Sequence, residues 1–123
     1  MKIAVTALEK NLDAEFDPRF GRCKYFAIVD LDTGEHVIEE NDAVAAMGGA
    51  GVKSSQFLAQ QGVSAVVTGH VGPNASRALQ AAGIKVYITD SGTVSDAITA
   101  FEEGKLTCVS EATVDSHTGL NTQ

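Results

Sequence analysis

The residues in this chain best placed to do chemistry are His70 and the glycines around it. Gly69-His70-Val71-Gly72-Pro73-Asn74 follows the β-branched run from Val63 to Thr68. A strand that stops at Gly-His and turns straight into a helix start aims an imidazole and free backbone N–H groups at one point. That geometry holds an anion or a metal species. Two further segments have a similar build. Met47-Gly48-Gly49-Ala50-Gly51 opens one helix, and its glycines let backbone N–H groups approach a ligand closely. Asp90-Ser91-Gly92-Thr93 opens another, with Ser91 or Thr93 as its cap. Each helix start carries partial positive charge and unsatisfied donors, so three around one cleft form an anion cradle. Each also has an ordinary reading: His70 as a satisfied loop histidine, the glycines as tight connections, Pro73 as a helix-start proline.

The cations that could join them are few. Lys53, just inside the first helix, adds a charge at the rim or is a solvated surface lysine. The loop Phe16-Asp17-Pro18-Arg19-Phe20-Gly21-Arg22-Cys23-Lys24-Tyr25-Phe26 concentrates basic residues between aromatics. Arg19 and Arg22 either reach the cleft as bidentate anion contacts, or pair with Asp13, Glu15 or Asp17 while Phe16 and Phe20 tuck the loop onto the core. Cys23, beside two cations, is either a thiol of lowered pKa or an inert half-buried residue.

The elements that must position these residues follow from periodicity. Ile3 to Leu8 is a first strand and 9–22 a long polar loop. Tyr25 to Leu31 and His36 to Glu40 form a hairpin around a turn at Gly34. Helices over 51–61, 75–82 and 94–103 end at Gly62, Gly83 and Gly104. Between them Val63 to Thr68 and Ile84 to Thr89 are strands, the first apolar enough to be buried on both faces. The order β-ββ-αβαβα predicts an α/β fold with a five-stranded mixed sheet and helices packed on it. Ligands in such sheets bind outside the carboxyl ends of the parallel strands, where the three glycine-containing turns converge. Residues 1–106 read as one domain, and 107–123 as a polar, flexible tail.

Composition narrows the function. The 123 residues carry 9 basic and 16 acidic side chains, a net charge of −7, which disfavours nucleic acid as a partner. No apolar run spans a bilayer, and the six-residue N-terminal stretch is too short for a signal peptide, so a cytoplasmic protein without a membrane partner is expected. Two cysteines and three histidines give no zinc spacing or disulfide framework. Catalysis lacks parts. There is no nucleophile elbow or P-loop, and the first strand has none of the carboxylates a two-metal nuclease needs. A hydrolase acting through His70 is the weakest reading.

The order of motifs resembles a known family. F-D-P-R-F-G-R-x-x-Y-F-x-I-x-D, then G-G-A-G, then T-G-H-V-G-P-N-A-x-x-x-L-x-x-A-G-I-x-V-Y, then T-V-x-x-A-I is similar to the dinitrogenase iron–molybdenum cofactor biosynthesis family, over about residues 1–106. The resemblance implies a ribonuclease H-like α/β/α motif. It implies non-catalytic carriers or insertases for metal–sulfur clusters, of Mo–Cu–S or Fe–Mo–S type. Carried onto this chain, the pocket comprises Gly48, Gly49, Ala50 and Gly51, then His70 to Asn74 with His70 as the metal contact, then Ser91, Gly92 and Thr93. Some members have a histidine and cysteine near the glycine loop, where this chain has Met47-Gly48-Gly49-Ala50-Gly51. That departure argues against thiolate ligation and for a preformed anionic cluster held non-covalently by N–H groups, His70, Lys53, Arg19 and Arg22. The expected partners are the cluster or its precursor and an unidentified protein that delivers or receives it, with the chain a monomer or weak homodimer. A small-anion or nucleotide-binding regulatory module using the same pocket is the alternative.

Overall fold

The computed structural model describes residues 1–45, 49–90 and 92–109. Its elements in chain order are β1 (Lys2–Ala7), β2 (Tyr25–Asp30), β3 (His36–Glu40), a 3-10 turn (Asp42–Ala45), α1 (Ala50–Gln60), β4 (Val63–Thr68), α2 (Pro73–Ala81), β5 (Lys85–Ile88), α3 (Val94–Glu102) and β6 (Thr107–Val109). The strands form one mixed sheet in the order β3-β2-β1-β4-β5-β6. β1, β4 and β5 are mutually parallel, whereas β2 is antiparallel to β1 and β3, and β6 to β5.

The sheet has six strands, one more than the pattern predicts. The extra strand lies where the polar tail is expected: Cys108 pairs with Tyr87 and Thr107 with Ile88. Backbone pairing along the open edge of β5 defines this three-residue strand, with Val109 packed partly against the core and the other two side chains exposed. No hydrophobic period announces such an element.

Alternating side chains of the central strands feed two cores. Ala4, Phe26, Ile28, Val66 and Val86 pack with Leu58 of α1 and Leu79 of α2. Val5, Ala7, Ala27 and Val67 pack with Val94 and Ala97 of α3 on the other face. Full burial of side chains such as Phe26, Leu58 and Leu79 contributes about 1.5 to 3 kcal/mol each. The direction of the strands matters most for function. β1, β3, β4 and β5 all end at the same edge, so the segments that lead into α1, α2 and α3 share that edge with the 8–24 loop.

Candidate anion-binding site

The long loop after β1 is tied down rather than loose. Asp17 N–H donates to Thr6 O at 2.8 Å. The buried Thr6 hydroxyl bonds both the Asp17 carbonyl and the Thr68 hydroxyl, linking the ends of β1 and β4. Residues 18–20 then run beside the Gly69-His70 segment. His70 N–H donates to Pro18 O at 2.6 Å, and Phe20 N–H donates to His70 O at 3.1 Å. Gly69 makes this crossing sterically feasible, because a Cβ there would fall 2.7 Å from Pro18 Cβ. His70 is thereby clamped through its backbone, while its imidazole is exposed at the rim.

The same loop reaches the start of α1. Gly51 sits in the first turn of α1 directly against Ala75 in the first turn of α2; a Cβ on Gly51 would lie 2.6 Å from Ala75 Cβ. A Cβ on Gly21 would in turn meet Gly51 Cα at 2.9 Å. Gly51 therefore serves helix packing, and through it brings two helix N-termini into van der Waals contact. Neither is closed by its own cap residue: the N-caps are Gly49 and Gly72, without a side-chain cap hydrogen bond. Pro73 occupies the first turn of α2, where its missing N–H costs nothing.

The third helix start departs from the expectation. Thr93 caps α3 in a reciprocal box: its hydroxyl accepts from Asp96 N–H at 3.1 Å, and Asp96 Oδ2 accepts from Thr93 N–H at 3.0 Å. Val94 N–H donates to Ala14 O and Ser95 N–H to Leu12 O. The donors that would have faced an anion are already engaged. Gly92 and Thr93 instead line an open cleft of about 560 Å³ with Phe16, Pro18 and two carboxylates, Glu15 and Asp90. The start of α3 thus drops out of the predicted three-helix cradle.

The remaining candidates divide as follows. Arg19 pairs with Asp17, whose carboxylate is fully buried, and this partner raises the guanidinium pKa further above its usual value. Arg22 is exposed on the strap between Gly21 and Cys23, with no ion pair among the described residues. Lys53 is exposed and faces a hollow of about 280 Å³ that it shares with Glu40 and Asp42, on the β3 side of α1. Val71 is core, and the Asn74 carboxamide oxygen accepts from Arg77 one turn along α2. Ala50 is buried. Gly48 and Ser91 lie outside the described residues, as does Met47. Among the described residues no group of three or more His, Cys, Asp and Glu side chains could hold a bare metal ion.

Two residues organise the loop: Asp17, one of the arginine partners the sequence offers, and Asn41, which the sequence does not single out. Asn41 is a buried hub: its Nδ2 donates to Gly21 O and Cys23 O, and its Oδ1 accepts from Ser54 of α1 and from Ala43 N–H. It fixes α1 against the strap, and nothing local in the sequence signals it. Asp17 has a signal, the Asp-Pro-Arg turn in which a carboxylate accepts the N–H two residues on. Cys23 is fully buried beside Asn41, and burial, followed by the Asp17 charge, pushes its thiol up to about 12. The lowered-pKa reading of Cys23 is thereby overturned.

The dinitrogenase iron–molybdenum cofactor model matches residues 1–104. The chain belongs to that family. An uncharacterised protein of Methanocaldococcus jannaschii is 37% identical over 109 residues, covering 86% of this chain and 89% of the relative. The apo form of the orange protein from Desulfovibrio gigas is 39% identical and superposes with a TM-score of 0.88, over 91% of this chain and 95% of that one. A NifB-like protein from Thermotoga is 37% identical, with a TM-score of 0.83 over 94% and 98% of the two chains. The fold and order of motifs are thus those of the family, and a cofactor-binding or carrier role is consistent with it.

Proposed function

We propose that this chain is a non-catalytic carrier for an anionic metal–sulfur cluster, of the Mo–Cu–S or Fe–Mo–S type, held at the junction of α1 and α2. One observation carries the reading: two helix N-termini in contact through Gly51 and Ala75, both without a side-chain cap. Each carries about half a positive charge, so placing them side by side is unfavourable unless an anion or solvent answers both. A sulfide or oxo cluster of net negative charge meets that requirement without thiolate ligands, and Cys23 is buried and protonated besides. His70 and Arg22 sit at the rim, where they can meet the cluster's outer face. The family supports the cargo, as does the likeness to the orange protein, whose superposed structure is its apo form. The order β3-β2-β1-β4-β5 with β2 reversed supports the ribonuclease H-like assignment of the fold. The reading also expects a cytoplasmic carrier that hands its cluster to a partner protein across the open rim.

Titration with tetrathiomolybdate, followed in the visible range and by metal analysis of the desalted protein, tests this. Saturable uptake at one equivalent, lost in Gly51→Val, is expected. A protein that stays colourless and takes up no molybdenum would overturn the reading. Thermal stabilisation by nucleotide, with no uptake of the thiometallate, would move the same junction to the regulatory alternative.

A further inference from the structure

Asp17 is the only charged residue in the core of the described chain, with its side chain 0% exposed. A carboxylate in such a place is costly unless its oxygens are paired. Both are engaged by Arg19. Oδ1 accepts from the Arg19 backbone N–H at 3.0 Å and from Nε at 3.1 Å, and Oδ2 accepts from Nη2 at 3.1 Å. The Arg19 side chain is nevertheless 60% exposed. An exposed arginine without such a partner samples many rotamers; this one is held by a fork on one side and open to solvent on the other.

Its location gives the fork a use. Arg19 forms a parallel bridge with His70, its neighbour Phe20 donates to His70 O, and Gly21 next along lies against Gly51 at the α1 start. We infer that Asp17 is a positioning residue of the anion site, fixing Arg19 so that the guanidinium's remaining N–H donors meet the bound anion beside His70. The inference rests on the α1–α2 junction being an anion site. The Asp17–Arg19 pair is neutral as a unit, so Arg19 contributes direction rather than net charge. Its open edge presents parallel donors suited to two adjacent oxo or sulfido atoms on one metal.

A counter-intuitive result separates this from simple electrostatics. Asp17→Asn removes a negative charge near the site, so on charge alone it should tighten tetrathiomolybdate binding. Positioning requires the reverse: binding about tenfold weaker, persisting at about 0.5 M salt where long-range terms are screened. Arg19→Gln should weaken binding to a similar degree, and the Asp17→Asn/Arg19→Gln double variant should bind no more weakly than Arg19→Gln alone. A merely structural Asp17 would lower affinity further in the double variant, and that result would overturn the inference. So would Asp17→Asn binding as tightly as the wild type. Should Asp17→Asn not fold, Arg19→Lys keeps the charge but removes the fork, and unchanged affinity there would be equally decisive. Wild-type protein that takes up no tetrathiomolybdate would instead remove the anion site, and this inference with it.

Discussion

The starts of α2 and α3 stand at the same end of the sheet, one strand apart, and resolve the same physical problem in opposite ways. At α3 the donors are closed by the protein itself: Thr93 and Asp96 cap reciprocally, and the carbonyls of Leu12 and Ala14 take the next two N–H groups. At α2, and at α1 packed against it, the caps are glycines that offer no side-chain oxygen. The difference teaches that a glycine-containing turn before a helix is only half of an anion site. The other half is whether another segment reaches the donors first, and among the described residues the 8–24 loop lies over α3 while passing beside α1 and α2.

Four changes test that contrast, from the largest effect to the smallest. Gly51→Val drives a branched side chain into Ala75 and should cost about 3 kcal/mol of stability by overpacking, along with tetrathiomolybdate binding; thermal melts and titration report both. If the contact is what matters, Gly51→Ala with Ala75→Gly should recover most of the stability that Gly51→Ala alone loses. Asn41→Ala leaves buried carbonyls of Gly21 and Cys23 and the Ser54 hydroxyl without their partner, an expected loss of about 2 kcal/mol in denaturant melts. Because α1 loses its tie to the strap, cluster affinity should fall as well.

The third test is one of pH. The folded thiol of Cys23 keeps its proton up to about 12, against an ordinary value of 9.0. The unfolded chain therefore loses that proton first, and stability declines as pH rises through this interval, by about 1 to 2 kcal/mol at pH 10. Cys23→Ala should flatten that decline in melts at pH 8 and pH 10, and an unchanged slope would assign it to other groups. The smallest effect distinguishes the two kinds of helix start most cleanly. Thr93→Ala should cost about 1 kcal/mol of stability and leave tetrathiomolybdate affinity unchanged. A loss of affinity there would return α3 to the cradle.

Most of the fold was legible in the sequence because its signals are local. β-branched runs mark β1 and β4, and the glycines after α1, α2 and α3 mark where the helices stop. The site was legible only in part, since what decides it is distant in sequence. Nothing near Thr93 announces that Leu12 and Ala14 will occupy its helix start, and nothing near Gly51 announces Ala75. Asn41 gains its importance from partners on two other segments. β6 was missed for a different reason: three half-polar residues are held by a neighbour's edge rather than by any pattern of their own.

The strap at residues 17–23 links the proposed site to the folding of the whole sheet. It is fastened at Thr6 and packed against Gly69 and His70, and those last contacts join residues some fifty positions apart along the chain. Contacts of that separation are slow to form, as is the equally distant pairing of β1 with β4. The proposed site therefore needs the assembled end of the sheet, where the strap, Gly69 and the starts of α1 and α2 meet. On the proposed function, a partly unfolded chain lacks the cluster site, and a loaded one, favoured by mass action, resists opening. Cargo binding and folding are then two faces of one equilibrium in the proposed carrier.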